Sequence, residues 1–420
     1  MVVGAGAAGL AAARELARAG ARFALLEARS RVGGRIWTRR AAGAPVELGA
    51  EFVHGRPAAT FAELRRAGLV ARRVPSARAG PGGREARRFW ADVKEVLRRL
   101  DQKGPDRPFA RALERLRGET RERKAAAARF IQGFDAADLD VISARDVREG
   151  VDQIDGAARS YRLEAGYDAL IGALLREVPP RTLTRRAVVE RIAWGAEGVR
   201  VRLRGGREFD ARAALITLPL GVLRAPAATA GAVRFVPALP RRKRRALANL
   251  RMGAAARVGL LFKPAAWPEI ARGFREPFLD DPCGGFSTYW TAAPFDRPLV
   301  TAWAGGPPAL RLCALGRRGI VAEAVKGLAR ALALPPSRVR AGLRAAFFHD
   351  WPADPFSRGA YSYLKAGGGG AREELARPVG RLFFAGEACD ADGESGTVAG
   401  ALATGRAGAK ALLAALAGRG

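Results

Sequence analysis

The first 27 residues alternate short apolar runs with an alanine-rich segment, a pattern that predicts a strand, a helix and a second strand. Residues 1–3 are apolar, glycines follow them, and an alanine-rich stretch of high helix propensity continues to Ala19. Gly20 suits the position just after a helix, and residues 23–26 are again apolar, as a buried strand requires. Because only three residues precede Gly4, we expect either a start further upstream or a frayed first strand.

Farther along the chain, residues 85–148 are strongly charged and their apolar positions repeat with helical spacing. One stripe in this segment consists of Phe89, Trp90, Val93, Val96 and Leu97. We interpret it as part of a core rather than as a ligand surface, because amphipathic helices bury such stripes. Residues 187–192 predict a further strand. The longest apolar stretch, residues 213–223, is interrupted and falls short of the roughly 18–20 residues that cross a bilayer, so no membrane partner is expected.

The composition is that of a globular protein with two or three domain-sized units. The chain has 420 residues, of which 49% are hydrophobic and 27% charged, and this excludes disorder and a collagen-like repeat. The 3 cysteines form no CxxC pair and the 2 histidines are His54 and His349, which argues against a disulfide framework, a structural zinc site and a histidine-rich metal site. Few, scattered cysteines also favour a reducing compartment, so we predict a cytoplasmic location.

The chain is strongly basic. Lysine and arginine number 72 against 41 acidic residues, which gives a formal net charge of +31 and a pI near 11.5. Such an excess is compatible with nucleic acid or an anionic membrane as a partner. The basic residues are scattered, however, and the densest run is residues 241–245, directly after Pro240, where a helix is able to begin. We favour compositional bias and do not expect a nucleic-acid partner, with a polyanionic partner as the alternative.

The glycines after the first predicted strand have the spacing of a dinucleotide-binding turn. In such a turn Gly4 permits the tight bend, Gly6 lets the backbone approach a pyrophosphate, and Gly9 lets the helix pack closely on the sheet. The helix N-terminus then offers free N–H groups and a partial positive charge to the phosphates. Glu27, at the end of the second strand, is placed to accept hydrogen bonds from the adenosine ribose.

Motifs distributed along nearly the whole chain resemble those of one enzyme family. In order, they are residues 27–35 (EARSRVGGR), 47–55 (ELGAEFVHG), 166–170 (GYDAL), 217–223 (TLPLGVL), 351–355 (WPADP), 359–363 (GAYSY), 381–387 (RLFFAGE) and 396–401 (GTVAGA). Together they resemble the FAD-dependent amine oxidases, a family that includes monoamine oxidases, polyamine oxidases and flavin-type histone lysine demethylases. Within this family the resemblance points to bacterial polyamine-oxidase-like members, and it is weakest between residues 75 and 154.

This resemblance implies an α/β fold in which a Rossmann-like FAD-binding domain is joined to a discontinuous substrate-binding domain with a mixed sheet and helices. The FAD-binding domain is expected from residues 1–60, 160–225 and 375–420. The substrate-binding domain is expected from residues 61–159, largely helical, and 226–374. Linker-like composition at residues 75–84 and a glycine run at 367–370 agree with these limits.

The resemblance also implies a set of residues around FAD. Arg29 and Arg35 are expected at the adenosine and pyrophosphate, Gly49 and Ala50 against the flavin ring, and Glu387 at the ribityl or phosphate region. Val189 is expected to present backbone groups to adenine. The implied cofactor-binding set is Gly4, Gly6, Gly9, Glu27, Arg29, Gly34, Arg35, Gly49, Ala50, Val189, Gly386, Glu387, Thr397 and Val398.

The reaction implied by the resemblance is oxidation of an amine C–N bond. A hydride passes from the carbon next to a neutral nitrogen to flavin N5, the imine hydrolyses, and molecular oxygen or another electron acceptor reoxidises the flavin. A dry, aromatic-lined pocket lowers the pKa of the amine by desolvation. The implied catalytic residues are Arg257, His54, Tyr361 and Thr397, and no metal is expected.

Three positions depart from the family pattern. Ala360 stands where covalent-flavin oxidases carry cysteine, so non-covalent FAD is expected. Thr397 replaces an aromatic wall residue of monoamine oxidases, as in the histone demethylases, which implies a roomier pocket. Arg257 stands where relatives have a lysine that assists the reaction with oxygen, and a planar guanidinium is not equivalent to an ammonium. The oxygen step is therefore expected to be slowed, altered or replaced by another acceptor.

The identity of the amine is left open by the sequence. His54 resembles an active-site histidine of polyamine oxidases, Glu51 is expected to add local negative charge, and the net charge of +31 disfavours a polycation unless the entrance is acidic. We predict a polyamine or another primary or secondary amine as substrate. The alternatives are an amino acid whose carboxylate Arg257 grips, and a redox-inactive flavoprotein that binds a polyanion. The oligomeric state is not predicted.

Overall fold

A parallel sheet joins the two ends of the chain. The structure, a computed structural model, describes residues 1–80, 88–101, 103–152 and 158–417. Five short strands form this sheet in the spatial order Leu382–Phe384, Ala214–Ile216, Val2–Val3, Leu25–Leu26 and Leu183–Thr184. The strands are apolar and mostly buried, as parallel strands covered on both faces are. The predicted strand at residues 23–26 is therefore present but narrows to two residues.

Two long helices pack together on one face of this sheet. They are the N-terminal helix Ala7–Arg18 and the C-terminal helix Val398–Ala417, and their apolar residues share one buried core. Small residues let the backbones approach closely, since a Cβ on Gly405 would lie 2.2 Å from the carbonyl oxygen of Ala8. Gly20 has a φ of 66° just after the N-terminal helix, as its position in the sequence predicts.

A four-stranded sheet contributes to the core on the other face. Its order is Glu208–Ala211, Val199–Leu203, Val189–Trp194 and Arg234–Val236. Apolar residues of Val199–Leu203 alternate with exposed arginines, so one face packs on the parallel sheet and the other faces solvent. The strand that the sequence predicts at residues 187–192 is Val189–Trp194 in the structure, two residues closer to the C-terminus.

A six-stranded mixed sheet is the centre of a second core. Its order is Leu343–Phe348, Ala255–Phe262, Leu299–Gly305, Thr288–Thr291, Phe278–Asp280 and Arg78–Ala79, antiparallel except for the last pair. Four helices flank its strands in sequence, Trp267–Gly273, Pro307–Cys313, Gly316–Ala331 and Pro336–Gly342. The α/β fold with a mixed sheet that the sequence predicts is confirmed.

Helices dominate the segment that the sequence predicts to be helical. They are Phe89–Arg98, Phe109–Arg115, Arg121–Phe134 and Ala144–Glu149, followed by the 3₁₀ turn Gly150–Asp152. Val93, Val96 and Leu97 are fully buried among them, as the core interpretation requires. Phe89 and Trp90 pack against the same core but also line the large cavity described below, so the stripe is only partly a core stripe.

Short elements complete the architecture. One small sheet has the order Phe52–Val53, Tyr161–Leu163 and Ala71–Arg73, and two further pairs are Thr38–Ala41 with Ala44–Glu47 and Leu250–Met252 with Ser362–Leu364. The remaining helices are Ala58–Arg66, Asp168–Arg176, Leu220–Leu223, Arg241–Asn249 and Ala371–Ala376, with 3₁₀ turns at Pro180–Thr182 and Glu387–Cys389.

The division into two domains stays a prediction, but two of its limits fall within structural units. The limit after residue 60 lies inside the helix Ala58–Arg66, whose Phe61 and Leu64 pack in the core of the N-terminal helix. The strand Arg234–Val236, placed in the second domain, pairs with Val189–Trp194 of the first. The glycine run at residues 367–370 directly precedes the helix Ala371–Ala376. The linker-like segment 75–84 contributes Arg78–Ala79 to the mixed sheet, and its last four residues lie outside the described part of the chain.

The basic run at residues 241–245 is not a uniform basic surface. A helix does begin directly after Pro240, but Lys243 within it is fully buried. The Lys243 ammonium donates to the carbonyl of Leu375 at 2.9 Å and also to those of Glu374 and Arg377, so it caps the end of the helix Ala371–Ala376.

In the part of the chain that the structure describes, no helix combines the length and the apolarity that a membrane span needs.

Candidate active site

A cavity of about 1150 Å³ extends from the N-terminal glycine turn to aromatic side chains of the mixed sheet. This volume exceeds the roughly 300–1,000 Å³ of pockets for drug-sized ligands, so a dinucleotide-sized ligand is compatible with it. The predicted site residues that line it are Gly4, Gly6, Glu27, Arg29, Gly34, Arg35, Gly49, Ala50, His54, Val189, Arg257, Tyr361, Gly386, Glu387, Thr397 and Val398. Gly9 lies behind the wall, in the N-terminal helix.

The glycine turn has the geometry of a phosphate cradle. Gly4 has a φ of 104°, and a Cβ on Gly9 would lie 1.8 Å from the Gly4 carbonyl oxygen, so only glycine fits there. A Cβ on Gly6 would meet nothing closer than 4.0 Å, which leaves its side open to a ligand. The helix that follows has neither a side-chain cap nor an acidic residue in its first turn. Its N–H groups therefore remain available to a phosphate.

Glu27 ties this turn to the second strand. One of its carboxylate oxygens accepts from the N–H of Ala5 and the other from that of Arg29, both at 2.9 Å. A carboxylate has about four acceptor positions, so two remain for ribose hydroxyls.

The two ends of the chain meet at the next stretch of the wall. Arg35 donates to Glu387 at 2.8 Å and to the Ala360 carbonyl at 2.7 Å, and the other oxygen of Glu387 accepts from the Ser362 hydroxyl at 2.6 Å. Glu387 is therefore held by the protein itself, and its expected place at the ribityl or phosphate region of FAD stays a prediction.

Arg29 is also bound by the protein. It donates to Asp354 at 2.6 Å and to Ser357 at 2.9 Å. Burial alone would raise the pKa of Asp354, but hydrogen bonds from His349 and Arg29 hold that pKa well below its usual range. The Arg29 guanidinium is thus a fixed positive group at the wall.

Gly49 and Ala50 lie beside a buried cluster of three ionised side chains. A Cβ on Gly49 would lie 1.8 Å from the Arg35 carbonyl oxygen, which requires glycine. Arg257 donates to Glu51 at 2.6 Å and, at 3.3 Å, to the carbonyl of Gly49. Arg162 contacts the other oxygen of Glu51 at 2.7 Å.

Glu51 itself carries the negative charge that the sequence predicts, but two positive groups surround it. Burial favours its neutral form, but Arg162 and Arg257 together lower the pKa of Glu51, so the carboxylate is ionised. Two guanidinium groups face this one carboxylate, and the cluster is net positive.

His54 lies in an aromatic environment. Its Nδ1 is 2.9 Å from the Ser160 hydroxyl, and its ring centroid lies 5.2 Å from that of Phe134 and 5.9 Å from that of Phe52. Burial lowers the pKa of His54 to about 4, so the ring is neutral near pH 7. No described residue hydrogen-bonds to Nε2, the nitrogen that remains for a ligand.

Tyr361 and Thr397 are both fixed by backbone contacts. The Tyr361 hydroxyl donates to the Phe134 carbonyl, and burial raises its pKa above the ordinary value. Thr397 accepts from the N–H of Gly400 at 3.1 Å, which caps the C-terminal helix. Between them, a Cβ on Gly396 would lie 3.4 Å from the Tyr361 ring, so the start of that helix sits against the ring.

Sequence reasoning missed Asp135, which follows the helix Arg121–Phe134 and also lines the cavity. Burial and the nearby Asp146 raise the pKa of Asp135 to about 7, although Arg372 opposes this shift. No described residue donates a hydrogen bond to its carboxyl group. It lies in the segment where the family resemblance is weakest, so no motif signalled it.

The wall of the cavity is acidic in a strongly basic protein. Among the described residues it carries ten carboxyl groups and seven arginines. The carboxyl groups belong to Glu27, Glu51, Asp135, Asp146, Glu149, Asp280, Glu373, Glu387, Asp390 and Glu394. The whole chain has a net charge of +31, so this excess of carboxyl groups is a local property of the cavity wall. It favours a cationic ligand.

Comparison with known proteins identifies related sequences over nearly the whole chain. The family model described as flavin containing amine oxidoreductase matches residues 7–413. Lysine-specific histone demethylase 1 homolog 1 of Arabidopsis thaliana is 29% identical over 92% of this chain and 49% of its own length. Polyamine oxidase 4 of Oryza sativa subsp. japonica is 28% identical over 97% of this chain and 87% of its own length. The chain thus spans about half of that demethylase homologue and most of the oxidase.

A solved structure of putrescine oxidase, wild type bound to putrescine, has the same fold. It superposes with a TM-score of 0.81 over 98% of each chain, at 21% sequence identity. A triple mutant of putrescine oxidase superposes with a TM-score of 0.82.

Proposed function

The chain belongs to the flavin-containing amine oxidoreductase family, and from that premise we propose that it binds FAD without a covalent bond and oxidises a diamine or polyamine. The observation that carries the choice of substrate is the acidic wall of the cavity, and Asp135 above all. A protein with a net charge of +31 repels polycations at long range, so an excess of carboxyl groups at its largest cavity favours a ligand with several ammonium groups.

The residues present fit FAD. An uncapped helix N-terminus and the open side of Gly6 suit a pyrophosphate, and Glu27 retains acceptor positions for the adenosine ribose. Ala360 stands at the wall, and none of the three cysteines lines the cavity, which supports non-covalent binding. When bound, the flavin accepts the hydride that the amine carbon gives up.

The aromatic part of the cavity favours the reactive, neutral form of an amine nitrogen. Phe52, Phe134, Trp290 and Trp303 line it, and they exclude water from a bound amine. Desolvation disfavours the ammonium and lowers the pKa of the nitrogen. His54, neutral near pH 7, adds no competing positive charge there and offers Nε2 as a hydrogen-bond partner.

Asp135 would bind the second, charged nitrogen of the substrate. It follows directly on Phe134, whose carbonyl accepts from Tyr361, so it lies close to the predicted wall of the amine pocket. Its carboxyl group has no donor among the described residues, and an arriving ammonium supplies one. A cation at this position also lowers the pKa of Asp135 from about 7, so binding keeps the carboxylate ionised.

An amino acid is disfavoured as substrate. The alternative requires Arg257 to grip a carboxylate, but Arg257 is 5% exposed and its guanidinium already donates to Glu51 and Gly49. The polyanion alternative is not favoured either, since the densest basic run buries Lys243 and pairs Arg242 with Glu374. Use of oxygen as acceptor, and the cytoplasmic location, stay predictions.

Steady-state kinetics with amine series test this proposal. We expect activity with diamines or polyamines, and none with amino acids. Asp135→Asn should raise KM for a diamine about 10- to 100-fold, because it removes a charge-assisted hydrogen bond worth about 1.5–3 kcal/mol, and should change KM for a monoamine little. Asp280→Asn is the matched control, since Asp280 lines the same cavity but is paired with Arg78. Activity with amino acids alone, or equal effects of both variants, would contradict the proposal.

A further inference from the structure

The buried cluster of Glu51, Arg162 and Arg257 contains two positively charged side chains and one negatively charged side chain. The three side chains are 8%, 5% and 5% exposed, respectively. Glu51 also accepts from the indole N–H of Trp290 at 3.0 Å, so its four acceptor positions are largely filled by protein groups. One carboxylate between two guanidiniums leaves an excess of positive charge, in surroundings where water screens it poorly. The buried carboxyl of Glu47, whose pKa is raised by burial to about 7, lies near this cluster and offsets part of the excess when it is ionised.

The order of residues along the cavity wall indicates where this positive charge lies. Glu27 and Val189 lie at the end where an adenosine is expected, and the helix N-terminus after Gly6 suits the phosphates. The other end of a dinucleotide must therefore continue along the wall in the opposite direction, toward Ala50 and Arg257. Arg257 donates to the carbonyl of Gly49, directly before Ala50, so the charge lies at the part of the wall where the flavin ring is expected.

Arg257 is held in place by long-range contacts. It extends from the strand Ala255–Phe262 of the mixed sheet, whereas Glu51 and Gly49 belong to the N-terminal segment. It also donates to the Thr301 hydroxyl at 3.4 Å, and the Trp290 ring lies 5.8 Å from the guanidinium carbon. Its Nε has no hydrogen-bond partner among the described residues.

We propose that Arg257 is a fixed positive charge at the part of the cavity wall where the flavin ring is expected, and that this charge raises the midpoint potential of the bound flavin. Glu51, which contacts both Arg162 and Arg257, is a positioning residue that holds Arg257 there. The inference rests on the proposed flavin cofactor but not on the amine substrate. Reduction adds electrons and negative charge to a flavin, so a nearby fixed cation favours the reduced form.

The test is the midpoint potential of the flavin in the holoprotein, measured by dye-coupled chemical reduction without substrate. Arg257→Met removes the charge at the wall and should shift the potential to more negative values, whereas Arg257→Lys should retain most of it. Glu51→Gln removes the counter-charge but keeps a side-chain oxygen that accepts from Arg257, so it should shift the potential to more positive values. If Arg257 and Glu51 had only a structural role, the direction of the shift in midpoint potential would not depend on the sign of the charge that is removed. Flavin content and thermal unfolding confirm that each variant is loaded and folded.

Arg162 provides a matched control. It has the same charge and burial as Arg257 but is absent from the cavity wall, so Arg162→Met should lower the potential less than Arg257→Met does. If Glu51→Gln fails to fold, the double variant Glu51→Gln with Arg162→Met keeps the original net charge and should keep the potential near that of the parent. An unchanged or raised potential in Arg257→Met would overturn the inference. A shifted potential in a protein that no amine reduces would sustain it while removing the proposed substrate.

Discussion

The two halves of the cavity differ in how the chain builds them. The cradle half, defined by the glycine turn with Glu27, Arg29, Arg35 and Glu387, is held by the backbone and by charged groups that each have partners within the protein. The reaction half, defined by His54, Asp135, Arg257 and Tyr361, keeps polar atoms without a described partner. The difference indicates that backbone geometry binds the cofactor, whereas incompletely satisfied side chains select and activate the substrate.

The largest effect is expected from breaking the cradle at Gly9. A Cβ there would lie 1.8 Å from the Gly4 carbonyl oxygen, so Gly9→Ala must displace the turn and should cost about 3 kcal/mol of unfolding free energy together with flavin binding. Gly172→Ala is the matched control, because Gly172 also lies in a helix but a Cβ on it would touch nothing within 4 Å. That control should stabilise the protein by about 0.5–1 kcal/mol. Denaturant unfolding and flavin content are measured for both variants. Equal losses of stability and of flavin in Gly9→Ala and Gly172→Ala would contradict the account of the cradle.

A smaller effect is expected where the two ends of the chain meet. Glu387→Ala leaves Arg35 and Ser362 without their carboxylate partner and should destabilise the protein by about 2 kcal/mol, with part of the flavin lost. Asp210→Ala removes an ion pair with Arg200 in which both side chains are well exposed, and should cost less than about 0.5 kcal/mol. If thermal unfolding shows that Glu387→Ala and Asp210→Ala lower the stability equally, the Arg35–Glu387 contact does not join the two ends of the chain in solution.

The smallest effect concerns pH and the reaction half alone. The pKa of Asp135 is raised to about 7, so its carboxyl is mostly neutral at pH 6 and mostly ionised at pH 8. A diamine stays fully protonated over this interval, and its apparent affinity should therefore rise up to about tenfold as the pH increases. The pH dependence of KM for a diamine measures this, and Asp135→Asn should flatten it. A KM that increases with pH in the parent protein would refute the assignment.

The cradle half was accessible from the sequence because its determinants are local. Gly4, Gly6, Gly9 and Glu27 act within one β-α-β unit, where spacing specifies geometry. The family motifs added residues farther along the chain, and the structure places nearly all of them on one wall. Those placements are consistent with the predicted roles, which stay predictions.

The reaction half was less accessible because its groups are defined by partners from distant segments. Glu51 suggests a negative charge by itself, but Arg162 and Arg257 reverse the sign of its surroundings. Asp135 belongs to no recognised motif, and its lack of a partner is a property of the fold. The run at residues 241–245 suggests a basic surface, and only tertiary packing reveals that Lys243 is buried.

The central claim is that the cavity holds a flavin next to a site for a cationic amine, and one anaerobic titration tests it most directly. Addition of a diamine to the flavin-loaded protein, without oxygen, should bleach the flavin absorbance band at about 450 nm. The same addition to Asp135→Asn should require a much higher diamine concentration for the same bleaching. A purified protein that binds no flavin, or a flavin band that diamines and polyamines leave unchanged, would contradict the claim.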